Sequence, residues 1–231
     1  MLTQDAIKQK LGIYAADFIK QDMLIGLGTG STVYYLLKEL SKRKQQGLNF
    51  TAVCTSLQTQ NILQQEGINY VSLDEVETLQ LAIDGADEVD INGNLIKGGG
   101  GALLQEKIVE SNADDLIIIV DEKKAVQTLG AFPLPVEVIT FGWKQVQQKI
   151  QNTYSVTANL REKEGKVYLT DHRHYILDCY FNSIRNPAQL NTDLHLTPGV
   201  VETGLFVNMA TKIIIGYADG TIKKRDISRE E

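Results

Sequence analysis

Residues 23–40 read MLIGLGTGSTVYYLLKEL. The stretch opens on a short apolar run, breaks at Gly28-Thr29-Gly30-Ser31-Thr32, and resumes with apolar residues at helical spacing. A strand that enters a glycine-rich turn and leaves as a helix is the building unit of an α/β sheet. Glycines let backbone N–H groups approach an anion without Cβ interference, and the helix N-terminus adds partial positive charge. Thr29, Ser31 and Thr32 can add hydroxyl donors. The turn is not a nucleotide P-loop, because no Gly-Lys-Ser/Thr follows. Nor is it a good dinucleotide fingerprint, since Ser31 stands where the third glycine belongs. Two readings stay open on this segment alone: an anion-binding turn, or a tight turn with a capping serine.

Working outward, Thr3 can cap a first helix, with Ile7, Leu11, Tyr14, Ala15, Phe18 and Ile19 at helical spacing. Downstream, residues 51–55 read as a strand, 58–66 as a helix, 69–72 as a short strand and 79–84 as a buried strand. Asn92-Gly93 is a hairpin signal. A helix over about 102–111 and an apolar strand over 116–120 follow. This alternation predicts an α/β fold with a Rossmann-like open parallel sheet. The texture changes after Gly130. FPLPVEV (132–138) reads as a rigid connector running into a strand over 136–140, with Pro133 and Pro135 stiffening a hinge. A helix over 143–150 follows, then a hairpin around Glu164-Gly165, a strand over 175–181, and a helix from Pro187 capped by Asn186. The expected organisation is a Rossmann-like domain of residues 1–130 plus 205–231, and a second, smaller α+β domain, 131–204. The charged tail, 223–231, is expected to be exposed.

The 231 residues are 43% hydrophobic with a formal charge of −6, enough for a substantial core. The acidic balance argues against a nucleic-acid partner, which needs a basic stripe. It does not forbid a small anion in a locally positive pocket. Cys54 and Cys179 show no disulfide or zinc spacing and read as reduced thiols. The start, MLTQDAIKQK, lacks an apolar signal core, and no run approaches a membrane span, so a cytoplasmic protein is expected.

Two further segments carry possible chemistry. DGADEVD (84–90) follows the apolar strand ending near Ile83, and ligands of open α/β sheets sit beyond the carboxyl ends of strands. A solvated acidic turn is the plainer reading of that segment, and metal ligation is the weakest. KGGGGALLQEK (97–107) holds four consecutive glycines. They are costly in conformational entropy and make sense where backbone passes close to a ligand. Lys97 precedes the loop. Glu106 falls in the N-terminal half of the next helix, where the dipole favours an ionised carboxylate able to act as a base. His172 and His174, at i, i+2 spacing, read as a polar strand end, and Trp143 and Tyr154 as core or domain-interface residues.

GLGTGST (26–32), DGADEVD and KGGGGALLQEK occur in this order, followed by FPLPVEV and PGVVETGLF (198–206). Together they resemble the type-A ribose-5-phosphate isomerase family over nearly the whole chain. The resemblance implies an aldose–ketose isomerase that interconverts ribose 5-phosphate and ribulose 5-phosphate through a cis-enediolate. It implies no cofactor, no metal, and a homodimer or homotetramer. Position by position, Thr29, Gly30, Ser31 and Thr32 match the family's first substrate loop. Asp84, Gly85, Ala86 and Asp87 match its aspartate loop, which contacts the sugar. Lys97, Gly98, Gly99 and Gly100 match its glycine loop, and Glu106 its catalytic base. Lys124 matches a phosphate-binding lysine, with Lys123 beside it as an ambiguity, and Lys8 a second phosphate-side lysine. Asp84 and Asp87 are expected to bind sugar hydroxyls, one of them shuttling the proton that opens the ring. The segment 161–174 departs from the expected pattern and is expected to lie outside the chemistry. Two rivals are a non-catalytic sugar-phosphate sensor and an acyl transferase of the coenzyme A transferase kind. The first would want a DNA-binding module, and the second a covalently loaded glutamate.

Overall fold

The computed structural model describes residues 1–228. In chain order its helices are α1 (Gln4–Ala15), α2 (Ser31–Gln45), α3 (Leu57–Gln65), α4 (Leu103–Ser111), α5 (Trp143–Tyr154) and α6 (Pro187–His195). The strands of the first half are β1 (Met23–Leu27), β2 (Phe50–Cys54), β3 (Leu79–Asp84), β4 (Glu88–Val89), β5 (Leu95–Ile96), β6 (Ala113–Asp121) and β7 (Leu134–Val138). Those of the second half are β8 (Thr157–Leu160), β9 (Glu162–Lys163), β10 (Lys166–Val167), β11 (Tyr175–Tyr180), β12 (Val200–Thr203), β13 (Leu205–Phe206), β14 (Lys212–Gly216) and β15 (Ile222–Asp226).

The chain forms two compact units. The first comprises residues 1–86, 105–125 and 208–231, of which those to 228 are described. Its sheet has the order β15-β14-β6-β3-β1-β2, parallel except for the antiparallel edge strand β15. The inner strands read as near-continuous apolar runs because helices cover them; Leu116, Ile117, Ile118, Ile119 and Val120 are all buried. Leu11 of α1 and Leu36, Leu37 and Leu40 of α2 pack on Ile25, Leu27, Ile83 and Ile119. Each such fully buried side chain contributes roughly 1.5–3 kcal/mol. The Thr3 hydroxyl accepts from the Ala6 amide and starts α1, as its position in the sequence predicts.

The parallel strands follow the order 2-1-3-4-5 when counted within this sheet, so connections leave β1 in opposite directions on its two sides. In open α/β sheets the crevice at such a switch point is where ligands bind. Here it lies at the carboxyl ends of β1 and β3.

The second unit comprises residues 87–104 and 126–207. A four-stranded antiparallel sheet, β12-β7-β11-β8, packs its buried Val136, Val138, Leu177 and Cys179 with Val146 and Ile150 of α5 and Leu194 of α6. A three-stranded ribbon, β13-β5-β4, and the β9–β10 hairpin complete it. Trp143 and Tyr154 join the core of this unit, edge-on to Tyr175 and Phe181.

Several sequence expectations differ from these elements. Residues 69–72 make a single bridge, Tyr70 to Ala52, in place of a strand. The connector at 132–135 is partly strand, because Leu134 and Pro135 lie in β7 and pair with Cys179 and Asp178 of β11. Pro135 therefore sits in a sheet, and its carbonyl accepts from the Gly204 amide. The charged tail is largely exposed over 223–228, as expected, and in addition forms β15 against β14; residues 229–231 lie outside the described part. The expected division at 130 and 205 also differs from the grouping seen. Residues 87–104 and 205–207 join the second unit because β4, β5 and β13 pair with one another and the Val126 amide donates to the Val89 carbonyl. The Glu164-Gly165 turn is as expected, both residues having positive φ (54° and 73°).

Candidate functional site

In the first unit Asp84 and the turn 28–32 lie at the carboxyl ends of β3 and β1. Asp84 ends β3 and is fully buried. Its Oδ1 accepts from the Thr29 amide at 3.1 Å and the Gly85 amide at 2.6 Å. The Gly28 amide donates to the Ile83 carbonyl at 3.0 Å, which zips the end of β1 to β3. A Cβ on Gly28 would lie 1.9 Å from the Asp84 Cγ, so only glycine fits there. Gly28→Ala is expected to push the carboxylate or the turn aside, at a stability cost of about 1–3 kcal/mol. Denaturant unfolding and steady-state kinetics check this, and full activity in that variant would show that the Gly28–Asp84 packing is irrelevant to turnover.

Gly30, with φ 127°, caps α2, and Ser31 is exposed in the first turn while Thr32 is buried. The Thr29 hydroxyl does not face outward as a ligand donor. It lies 2.7 Å from the Ser56 hydroxyl, 2.9 Å from Thr55 and 3.1 Å from Thr59, and Thr59 in turn donates to the Gly28 carbonyl at 2.7 Å. This cluster of hydroxyls, which the sequence reading missed, sets the path of the turn. Its only sequence signal is Ser56 as the α3 cap, where it accepts from the Thr59 amide.

Lys124 ends a 3-10 turn, Glu122–Lys124, that follows β6. Its ammonium donates to the Ala86 carbonyl at 2.5 Å, so it stands beside the aspartate turn. Lys123 is exposed. Lys8 lies half-buried on α1. Glu106 occupies the first turn of α4 and is only 4% exposed.

In the second unit Asp87 donates its amide to the Ile96 carbonyl and accepts the Gly99 amide on Oδ2 at 2.7 Å. Lys97 is 2% exposed; its amide donates to the Gly204 carbonyl, and its ammonium stands 5.4 Å from the centre of the Phe206 ring. Two other acids of DGADEVD are structural. Glu88 accepts the Gly130 and Phe132 amides, both at 2.6 Å, and Asp90 accepts the Asn92 and Asn94 amides in a tight turn. They explain half of the acidic cluster without a ligand.

Other titratable groups lie away from these segments. Glu137 of β7 is buried, accepts from the Thr170 hydroxyl at 3.0 Å and lies 3.0 Å from His174 Nδ1. Burial pushes this carboxyl above its ordinary range, and the bonds to His174 and Thr170 partly offset that. His174 is thus tied to β7, and His172 lies beside it as the end of a polar turn. Burial raises the Cys54 and Cys179 thiols to about 12, which leaves both poor nucleophiles at neutral pH. Among the described residues no group of three or more His, Cys, Asp or Glu is arranged to hold a metal ion. No helix among them is long and apolar enough to cross a membrane.

The family model of ribose 5-phosphate isomerase A (phosphoriboisomerase A) matches residues 51–220. A ribose-5-phosphate isomerase A of Bacillus cereus is 53% identical over 215 residues, 93% of this chain and 97% of the relative. This chain belongs to the ribose-5-phosphate isomerase A family. A relative from Bifidobacterium adolescentis is 48% identical over 94% of both chains. Among solved structures, a D-ribose-5-phosphate isomerase in complex with phospho-erythronic acid superposes with a TM-score of 0.94 at 38% identity, covering 97% of this chain and all of the other. The Plasmodium falciparum ribose 5-phosphate isomerase gives 0.92 at 36% identity, covering 96% and 98%. A second family model, the DeoR C-terminal sensor domain, matches residues 3–96. That match ends at residue 96, before the glycine loop and α4.

Proposed function

We propose that this chain interconverts D-ribose 5-phosphate and D-ribulose 5-phosphate. The observation that carries the reading is family membership along almost the full chain, joined to a buried Glu106 in the first turn of the helix that follows the glycine loop. The reaction moves a proton from C2 of the open-chain aldose to C1 through a planar cis-enediolate. It needs one base able to serve both carbons, and donors that hold the developing oxyanion. Glu106 is the proposed base. Lys97 and the amides of the glycine loop are the proposed oxyanion donors. Asp84 and Asp87 are proposed to bind sugar hydroxyls, one of them moving the proton that opens the furanose. The exposed Gly30–Ser31 turn at the N-terminus of α2, with Lys124 and Lys8, is proposed for the phosphate, whose binding orients the sugar.

Phospho-erythronic acid, bound by the relative, carries a carboxylate whose two oxygens share charge on a planar carbon, as an enediolate does. That likeness supports an enediolate route here. The family resemblance supports a homodimer or homotetramer, and the absence of a spanning helix among the described residues is consistent with work in the cytoplasm. The sensor match at 3–96 favours a second reading, in which a sugar phosphate binds without turnover.

One assay separates the two readings: purified protein with ribose 5-phosphate in deuterated water. Ketose formation with deuterium on C1 is expected. Binding without conversion would favour the sensor and overturn the isomerase reading.

A further inference from the structure

The segment 161–174, expected from sequence to lie outside the chemistry, meets the glycine loop inside the second unit. Arg161 follows β8 and is largely buried, its side chain 12% exposed. Its Nε donates to Asp178 Oδ2 at 3.0 Å and its Nη2 to Asp178 Oδ1, a bidentate pair across to β11. The remaining nitrogen, Nη1, donates to the Gly98 carbonyl at 2.6 Å and the Gly99 carbonyl at 3.3 Å. From the hairpin, the Tyr168 hydroxyl donates to the next carbonyl, Gly100, at 3.3 Å. Three consecutive loop carbonyls are therefore turned toward one pair of side chains. Gly101 completes the fit: its φ is 88°, and a Cβ there would fall 2.2 Å from the Tyr168 hydroxyl.

A trans peptide is planar, with C=O and the following N–H on opposite sides. Holding the Gly98 and Gly99 carbonyls at Arg161 aims the Gly99 and Gly100 amides the other way. The Gly99 amide does reach Asp87 Oδ2 there, at 2.7 Å. We propose that Arg161, braced by Asp178 and aided by Tyr168, is a positioning residue for isomerisation, orienting the glycine-loop amides and the adjoining Lys97 toward the substrate. The inference rests on the reading that this loop contacts the sugar. The fork geometry is what the role requires: one guanidinium serves a carboxylate with one edge and two carbonyls with another nitrogen, which an ammonium cannot do.

The test is steady-state kinetics on Arg161→Lys, Arg161→Ala and Tyr168→Phe, with circular dichroism to check folding. Arg161→Lys keeps a cation beside Asp178 and so guards against simple misfolding. A loop misplaced by about 1 Å is expected to lower kcat about 10–100-fold in both Arg161 variants, with KM within about threefold. Tyr168→Phe is expected to have a smaller effect of the same kind. Free guanidinium at sub-denaturing concentration should restore part of the activity of Arg161→Ala, which a purely structural loss would not permit. A kcat for Arg161→Lys within about twofold of the parent overturns the proposal, as does an Arg161→Ala defect that guanidinium leaves untouched. Lys97→Ala measured alongside tells which idea failed. If it is inactive while Arg161→Lys is fully active, only the positioning role falls; if it is fully active, the assignment of the loop to the site falls.

Discussion

Glu106→Gln is expected to lower kcat by about 10²–10⁴-fold, the usual worth of a general base, while KM changes little. Glutamine keeps the size of the side chain and its capacity to accept hydrogen bonds. It removes the negative charge, and with it the ability to take a proton from C2 and deliver one to C1. Because position 106 is 4% exposed in the first turn of α4, the side chain has little room to swing away, and water is poorly placed to substitute. Glu106→Asp is a finer probe of the same claim. It retains the carboxylate but withdraws it by one methylene, and a displacement of roughly 1 Å costs on the order of 10²-fold in such a step. Stopped assays with ribose 5-phosphate measure both. Retention of more than about a tenth of the parent kcat in Glu106→Gln would remove this residue as the base.

Lys97→Met should lower kcat by about 10²–10³-fold, as loss of an oxyanion donor does elsewhere. Methionine fills most of the volume of the lysine stem, so the buried packing beside Phe206 and the backbone bond to Gly204 are kept. Lys97 is only 2% exposed, so a substitution that keeps its volume is needed for a kinetic change to be read as loss of the ammonium. The accompanying measurement is affinity for phospho-erythronic acid. If that ligand mimics the enediolate, its affinity should fall in step with kcat/KM across Lys97 variants, while ribose 5-phosphate binding weakens less. An unchanged kcat, or analogue affinity that stays constant as kcat falls, would take the oxyanion role away from Lys97.

Much of the first unit is readable in advance because its signals are local. Apolar runs such as 79–84 and 116–120 have one stable use, as strands covered on both faces. Thr3 caps α1 through a bond spanning three residues, as Asn186 does α6 in the second unit, and a linear reading can anticipate both. The misreadings fall where distant partners decide. Leu134 and Pro135 become strand because β11 pairs with them, and the charged run at 222–226 becomes a strand because β14 offers it an edge. The acidic cluster is a mixed case. Its position after a buried strand points to a ligand, yet in the folded chain all four carboxylates accept backbone amides, and Glu88 and Asp90 engage both of their oxygens within the protein.

Strand-and-helix alternation, the three glycine- and acid-bearing segments and their order were legible in the chain alone, since each depends on neighbours a few residues away. The inward turn of the Thr29 hydroxyl, the contact of Lys124 with the Ala86 carbonyl and the grip of Arg161 on Gly98 and Gly99 were not. Those join residues 27, 38 and about 62 positions apart. Hydrogen bonds form between groups that folding brings within about 3 Å, and separations of that kind leave no periodic trace in the sequence.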